Sequence, residues 1–246
     1  MTSRILLLLI AAAACSSQQR RNTDDQPAQV DPGAPGKAPS DAVPLFDGAS
    51  LDGWTGRDGN RTGCAVEEGE MVCRSGSRDI MTRRLHGAAQ IHVEFKLPSM
   101  LDQEGQLRAN SGVYLQGRYE IQVLDSLNNP TYPNGSAGAV YGQHVPLVNP
   151  SLGPGKWQTY DIVFHPPVCD GTGRVVNPGS ITLLFNGVLV QDHVRISKST
   201  GGAVSENVCS DGPLLLQDHS GFPGAPQTEL RFRNIWMRPL RERPIE

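Results

Sequence analysis

The sequence predicts an all-β fold, an antiparallel β-sandwich or barrel built from many short strands. Three observations predict it. Apolar and polar residues alternate with a period of two in several segments, and no segment of ten residues shows convincing helical periodicity. The 27 glycines and 19 prolines among 246 residues favour short strands joined by turns. A chain of this length is expected to hold one such domain together with a tail.

The strand at residues 90–96 shows the alternation most clearly. Three apolar side chains would face one way, whereas His92 and Glu94 would face the other. A turn is expected at Gly117-Arg118, between two predicted strands. Another is expected at Asn186-Gly187, because Asn-Gly is the usual centre of a type I′ hairpin. The other predicted strands span residues 111–115, 119–124, 157–164, 181–185, 188–191, 213–217 and 230–239.

Long polar loops separate these strands, and such loops on a rigid β scaffold are where binding surfaces are usually built. They span residues 99–109, 126–156, 166–179 and 197–212. Trp157 and Trp236 fall within the alternating strands instead. Both indoles are therefore expected to pack in the core.

The N-terminus predicts export. Arg4 is followed by an apolar run at residues 5–10 and then by four alanines before Cys15, a stretch too short to span a bilayer comfortably. We expect residues 1–15 to be a lipoprotein signal peptide, with Cys15 lipidated as in a bacterial lipobox. Ordinary signal-peptide cleavage near Ala14 is the alternative. Lipidation would tether the protein to a membrane of the bacterial cell envelope.

The remainder divides into a tether and a domain. Residues 16–42 are rich in Gln, Asp, Pro, Ala, Gly and Ser, so they are expected to form a flexible tether. The folded domain is expected to span residues 43–241. The formal net charge is -3, with no long basic run, so a nucleic-acid partner is excluded.

The cysteines agree with an oxidising compartment. Setting Cys15 aside leaves four, an even number. Cys64 and Cys73 flank a segment that predicts two short strands around a Glu-Gly turn, so this pair is expected to be bridged. Cys169 and Cys209 then pair by elimination, although four cysteines allow three pairings. A zinc site is not favoured, because no C-x-x-C spacing or cluster of histidines is present.

Glu120 is the first candidate for chemistry. On the predicted strand 119–124, apolar residues share one face, which leaves Glu120 and Gln122 on an open, polar face of the sheet. Glu94 and His92 are expected to share that surface. An acid and amides on one sheet face suit a sugar, and glycosidic bonds are commonly cleaved with carboxylates. The alternative is an ordinary solvated strand glutamate.

The chain resembles the 3-keto-disaccharide hydrolase domain family, and the resemblance extends over nearly all of residues 43–240. It is carried by an ordered set of short blocks rather than by any one of them. These blocks are residues 45–48 (LFDG), 51–54 (LDGW), 110–115 (NSGVYL), 119–126 (YEIQVLDS), 138–143 (GAVYGQ), 157–162 (WQTYDI), 186–192 (NGVLVQD), 212–219 (GPLLLQDH) and 232–240 (FRNIWMRPL). The chain departs from the family pattern in an insert at residues 220–229 and in the loops that carry Cys169 and Cys209.

The resemblance implies a concanavalin-A-like jelly roll, two curved antiparallel sheets with the ligand on the concave face. It also implies hydrolysis of 3-keto-disaccharides or related glycosides. A ketone at C3 acidifies the C2 proton, so cleavage can proceed by proton abstraction and elimination of the C1 substituent, followed by water addition. That route needs a base and a group that polarises the ketone.

The resemblance assigns roles to particular side chains. Glu120 becomes the leading acid, base or ligand-binding carboxylate, and His219 the second catalytic candidate, as a base or metal ligand. A hydrogen-bonded turn residue is the alternative for His219. Arg118 and Gln122 would bind sugar hydroxyls or polarise a carbonyl.

Three further side chains complete the predicted site. Glu94 would join the substrate-binding set, whereas Asn110 and Gln143 would either contact sugar or brace loops through bonds to the backbone. No metal site is predicted. A divalent cation stays open as an alternative without diagnostic ligand spacing.

Two other functions remain open beside the enzyme. One is a non-catalytic carbohydrate-binding lipoprotein on the same fold, because fold does not dictate function. The other is a structural envelope lipoprotein that binds a protein partner through an exposed apolar patch.

Overall fold

The computed structural model describes residues 27–34 and 37–240. Residues 27–30 lie outside the folded unit, which begins at Asp31, and have no regular secondary structure. The described strands are β1 Val43–Phe46, β2 Trp54–Gly56, β3 Ala65–Glu67, β4 Glu70–Arg74, β5 Ile80–His86, β6 Ala89–Lys96, β7 Ser111–Leu115, β8 Tyr119–Val123, β9 Trp157–His165, β10 Val168–Cys169, β11 Val175–Asn177, β12 Ser180–Phe185, β13 Val188–Arg195, β14 Gly212–Leu216 and β15 Glu229–Pro239. Short 3-10 turns lie at Gly105–Leu107, Pro133–Gly135 and His219–Gly221.

Two antiparallel sheets form the body of the domain. The larger sheet has the order β13-β12-β9-β6-β15-β4-β3, with β1 also paired to β15. The smaller sheet has the order β2-β5-β14-β7-β8, and β10 with β11 makes a separate small hairpin. This confirms the predicted all-β, two-sheet antiparallel sandwich of the jelly-roll type.

The core lies between the two sheets because each contributes its apolar face. Ile91, Val93 and Phe95 of β6 are fully buried in one cluster with the apolar residues of β8. Their polar neighbours point away from this core on both sheets. Glu94 therefore lies on the outer face of the larger sheet and Glu120 on the outer face of the smaller sheet. The prediction that they share one surface is wrong, because their strands belong to different sheets.

The hairpin turns follow the residues that permit positive φ. Asn186 and Gly187 have φ of 51° and 77°, as a type I′ turn requires. The β7–β8 hairpin differs from the expected turn at Gly117-Arg118. Its loop has three residues, Gln116 to Arg118, and Gln116 also has a positive φ of 50°. The loop fixes a register in which Tyr114 lies opposite Glu120.

Both predicted disulfides are present. Cys64–Cys73 closes the β3–β4 hairpin, and Cys169–Cys209 joins the β10–β11 hairpin to the long loop before β14. Disulfides are typical of proteins outside the reducing cytoplasm. Among the described residues, no helix is long and apolar enough to cross a membrane.

The N-terminal boundary differs from the expected one. Part of the segment predicted as a flexible tether, residues 31–34 and 37–42, belongs to the folded unit. Asp31 and Ser40 exchange hydrogen bonds, and Asp41 forms an ion pair with Arg238 at 2.6 Å. The predicted signal peptide and Cys15 lie outside the described residues.

Trp157 and Trp236 do not pack in the core, contrary to the prediction. Trp236 stacks on His92 on the outer face of the larger sheet. Trp157 lies beneath the cationic groups of Lys96 and Arg233, whose centres are 4.6 and 4.0 Å from its ring. Their positions in the strand alternation place them with the polar residues rather than with the apolar ones.

Candidate active site

Glu120 lies on the outer face of the smaller sheet but is not open to solvent as predicted. Only 4% of its surface is exposed. Two loops lie against this part of the sheet: residues 138–141 pair with the edge of β8, and residues 200–204 bond to the β7–β8 loop and to the Tyr114 side chain. Tyr141 N donates to Glu120 O at 3.0 Å, and Glu120 N donates to Thr200 Oγ1 at 3.2 Å. The carboxyl group is therefore placed in a low-dielectric environment beneath loops.

The hydrogen bonds of the Tyr114 hydroxyl indicate the protonation state of Glu120. Its hydroxyl oxygen is 2.9 Å from Glu120 Oε2 and 2.9 Å from the carbonyl oxygen of Gly201. Gln217 Nε2 donates to the same hydroxyl at 3.2 Å. A tyrosine hydroxyl has one proton, and a backbone carbonyl can only accept. All three bonds form together only if Tyr114 donates to Gly201 and a protonated Glu120 donates to Tyr114.

The electrostatics favour the same protonated carboxyl. Burial raises the pKa of Glu120, the Tyr114 hydrogen bond lowers it by less, and the nearby negative charge of Asp79 adds a still smaller increase, so that the pKa is about 8. Burial, and then the charge of Glu120, raise the pKa of Tyr114 above its usual value of 10.0. Glu120 is thus mostly neutral at pH 7 and is suited to donate a proton.

Glycine at position 112 makes this arrangement sterically feasible. A Cβ atom there would lie 2.6 Å from Glu120 Oε1 and 2.9 Å from the ring of Tyr114. Gly112 pairs with Gln122 across the hairpin. Any larger residue would displace the carboxyl group or the phenol ring.

A cleft of about 460 Å³ is lined by neither Glu120 nor Tyr114, and its volume is within the ~300–1,000 Å³ usual for small-molecule sites. Arg57 and Asp79 line it and form an ion pair at 2.5 Å. Asp79 also accepts from the backbone N–H of Asp218 at 2.7 Å. Arg57 donates to the carbonyl of Gly202, next to the residue that accepts from Tyr114. One hydrogen-bonded group therefore connects the cleft to the Tyr114–Glu120 pair.

Amide side chains continue the polar face toward the other end of β8. Gln122 Nε2 donates to Gln106 Oε1 at 2.8 Å and to the carbonyl of Gly135 at 3.2 Å. Asn110 Nδ2 donates to the carbonyl and to the side chain of Gln106 at 2.9 and 3.1 Å. Asn110 thus braces the loop. Gln122 keeps a buried Oε1 without a hydrogen-bond partner, which leaves one acceptor for a ligand.

Two tyrosines that sequence reasoning missed lie in the covering loop. The hydroxyls of Tyr132 and Tyr141 share a hydrogen bond, and their rings are 6.2 Å apart. Burial and this hydrogen bond raise the pKa of Tyr132, and the charge of Glu120 adds to the effect. Aromatic rings offer a surface on which a pyranose ring can stack, and these two lie near the buried carboxyl.

The side chains of Arg118 and Gln143 form hydrogen bonds to loop residues. Arg118 is buried and donates to Gln116 and to both the carbonyl and the hydroxyl of Ser210 at 2.9–3.0 Å. Gln143 donates to the carbonyl of Lys198 and accepts from Ser197. Arg118 therefore holds the loop that covers Glu120, which is a different role from the predicted contact with sugar.

His219 begins the 3-10 turn after β14, two residues beyond Gln217. Its ring stacks on Phe222 at 4.2 Å, and it lines a small cavity with Asn110. Burial lowers the pKa of His219 below 6.5, against the raising effect of Asp218. The imidazole is thus neutral at pH 7 and able to accept a proton.

Glu94 is separated from this site by the core. On the larger sheet it accepts from Arg233 at 2.6 Å and from Asn234 at 2.7 Å. Burial raises the pKa of Glu94, but these two donors outweigh that effect and hold it below its usual value. Across the described part of the chain, no three His, Cys, Asp or Glu side chains come together in a way that could hold a metal ion.

Comparisons with known proteins agree with the architecture. The model of the 3-keto-alpha-glucoside-1,2-lyase-like domain matches residues 41–238. A solved structure from Parabacteroides distasonis, provisionally named a glycosyl hydrolase, is 36% identical with a TM-score of 0.81, over 95% of this chain and 100% of that one. A second structure from the same organism, under the same name, is 19% identical with a TM-score of 0.60 and shares the fold, over 87% of this chain and 100% of that one. No curated protein matches the chain. The chain therefore belongs to the 3-keto-alpha-glucoside-1,2-lyase-like domain family, which indicates a carbohydrate-active function of the hydrolase or lyase type.

Proposed function

We propose that the protein is an exported enzyme that cleaves the glycosidic bond of 3-keto-disaccharides or related 3-keto-glycosides, by elimination followed by hydration. The observation that carries the proposal is the buried Glu120 carboxyl: burial raises its pKa to about 8, and the one proton of the Tyr114 hydroxyl is needed by the carbonyl of Gly201, so both favour the protonated form at neutral pH. A neutral carboxyl group that neighbouring residues connect to a polar cleft is suited to act as a general acid for a leaving group.

The elimination requires two proton transfers. The C3 ketone acidifies the hydrogen on C2, so a base removes that proton while a C1=C2 double bond forms. The bond from C1 to the glycosidic oxygen breaks, and the departing oxygen takes a proton from an acid. We assign Glu120 as this acid and His219 as the base, because Glu120 is mostly protonated and His219 is neutral near pH 7.

Hydration reverses the two roles. The Glu120 carboxylate takes a proton from the water that adds to C1, and the protonated His219 returns a proton to C2. The net result is hydrolysis, with both side chains restored. Ketone polarisation would fall to a neutral donor, and the hydrogen-bonded pair Tyr132 and Tyr141 offers hydroxyls for it, with the pKa of Tyr132 raised above its usual value.

The export route is part of the proposal. The two disulfides suit an extracytoplasmic protein. We propose that residues 1–15 direct export and that lipid on Cys15 anchors the protein to the cell envelope. Mass spectrometry of the membrane-extracted N-terminal peptide tests this, since a diacylglyceryl group on Cys15 is the expected mass and an unmodified mature N-terminus contradicts the anchor.

The reaction is tested by incubating the protein with 3-keto-trehalose and 3-keto-lactose, and with trehalose and lactose. Release of monosaccharides from the keto sugars alone, with loss of at least ~100-fold in Glu120→Gln, is the expected result. Glu94→Gln is the matched control, because it removes a buried glutamate of the other sheet and should retain turnover. If no sugar is cleaved while sugars still bind, the protein is a carbohydrate-binding module.

A further inference from the structure

The outer face of the larger sheet carries a second polar site, on the side of the domain away from Glu120. Two adjoining clefts of about 670 and 520 Å³ lie there, and both are lined by Lys37 and Trp236. Residues 37–39 and 32–34 of the N-terminal segment form one wall, and the strands β6, β9 and β15 form the other. Both volumes fall within the ~300–1,000 Å³ usual for small-molecule sites.

A β-bulge builds the floor of these clefts. Between Arg233 and Trp236 the strand β15 has two residues where β6 has one, and Asn234 takes a positive φ of 46°. The extra residue keeps both Arg233 and Trp236 on the outer face, opposite Glu94 and His92. Bulges of this kind commonly re-aim side chains beside functional sites.

His92 is held at the centre of the floor. Its Nδ1 is 2.6 Å from Asp161 Oδ1, and its ring stacks on Trp236 with centroids 5.1 Å apart. Its Nε2 faces Asn234 Nδ2 at 3.3 Å and Glu94 Oε1 at 3.6 Å. These contacts fix the ring and the two carboxylates in place. Asp161 meets His92 through Oδ1, and its side chain is 38% exposed, so the carboxylate can accept further hydrogen bonds.

Trp236 supplies the observation that points to a ligand. The residue is only 4% exposed, and its indole Nε1 is buried without a hydrogen-bond partner. A buried donor left without a hydrogen-bond partner destabilises the folded protein. Trp54 shows the usual outcome on the same domain, since its Nε1 donates to the carbonyl of Leu45 at 2.8 Å.

We infer that this second site binds a saccharide. The Trp236 N–H requires an acceptor, whereas the Asp161 carboxylate requires a donor, and the hydroxyls of a sugar both accept and donate. A simple anion would meet the carboxylates of Asp161 and Glu94, and a simple cation would leave the indole unpaired. The inference does not depend on the proposed reaction, because no residue of this site contacts Glu120.

Tryptophan-labelled NMR tests the inference on the full chain. With ¹⁵N-labelled tryptophan the protein gives one indole N–H signal for each of its 3 tryptophans, and Trp236→Phe identifies one of them. Maltotriose, cellotriose and laminaritriose are the probes, at millimolar concentration. We expect at least one of them to move the Trp236 signal downfield in a saturable way, while the bonded Trp54 signal stays unmoved.

Two variants decide between the sites. Asp161→Asn should weaken the sugar that moves the Trp236 signal about tenfold, because an amide replaces a charged acceptor. Glu120→Gln should leave this titration unchanged, even where it abolishes turnover. Failure of all three sugars to move the Trp236 signal overturns the inference, as does a Trp236 response that disappears in Glu120→Gln. Neither result would bear on cleavage of keto sugars.

Discussion

Replacing Glu120 by Gln should make the folded protein more stable, and the gain should increase with pH. The folded state holds Glu120 protonated because burial raises its pKa from 4.5 to about 8. The unfolded chain releases that proton near pH 4.5, so the folded state loses stability as pH rises from about 4.5 to about 8. Glutamine keeps the shape and the hydrogen bond of the neutral acid but cannot ionise.

The pKa shift sets the size of the effect. A change from 4.5 to about 8 corresponds to about 5 kcal/mol at full ionisation, because one pKa unit is 1.36 kcal/mol. Between pH 5.5 and pH 8.5 the Glu120 contribution alone falls by about 3 kcal/mol. Wild type should lose that amount over this interval relative to Glu120→Gln.

Chemical denaturation of both proteins at the two pH values measures this difference directly. Glu94→Gln is the control of opposite sign. Arg233 and Asn234 hold the pKa of Glu94 low, so this variant should be less stable than wild type by the same amount at both pH values. Parallel pH dependence in wild type and Glu120→Gln would refute the protonated carboxyl.

Three further predictions concern activity on a 3-keto sugar. The pH profile of kcat/KM should be bell-shaped, rising as His219 loses its proton below pH 6.5 and falling through about pH 8 as Glu120 ionises; a profile still rising at pH 9 would make Glu120 a base instead. Gly112→Ala should lower kcat about 100-fold, because its Cβ would lie 2.6 Å from Glu120 Oε1; unchanged kcat in a folded variant would contradict the packing. The Cys169→Ala, Cys209→Ala double variant should lower kcat/KM about fivefold, because it frees the loop that supplies the Gly201 carbonyl. A larger loss of folding stability than of activity would show that the disulfide stabilises the core instead.

The strands were predictable where one face is buried and the other polar. The pattern at residues 90–96 falls on β6, and Asn186-Gly187 forms the expected turn. The strand β5, Ile80–His86, was missed because its apolar residues do not alternate, and its residues Arg83 to Leu85 are exposed. Its pairing partners β2 and β14 are 24 or more residues away in sequence, so local patterning cannot detect it.

Of the candidate site, the sequence predicted only that Glu120 lies on a strand and faces away from the core. Alternation placed Glu120 away from the core, but nothing local shows that loops bury it. The register that sets Tyr114 opposite Glu120 depends on the three-residue loop, in which Gln116 adopts a positive φ that glutamine rarely takes. A turn one residue shorter would have paired Glu120 with Leu115.

Long-range neighbours explain the rest of the site. Asp79, the residue before β5, approaches Glu120 from 41 positions earlier in sequence, and Gly201 approaches Tyr114 from a loop 87 residues later. Arginine is a residue type that commonly binds sugars, but Arg118 instead holds that loop through hydrogen bonds to Ser210. Residue type therefore indicates which side chains can do chemistry, and only the packing shows which remain free to do it.

Isotope incorporation from heavy water tests the proposed reaction most directly. 3-Keto-trehalose is cleaved in D₂O, and the early product is examined for deuterium at C2, with 3-keto-glucose alone as the control for spontaneous exchange. Elimination and hydration through Glu120 and His219 predict one deuterium at C2 of the released keto sugar, faster than in the control. Cleavage with hydrogen retained at C2 would contradict the mechanism and show direct displacement at C1.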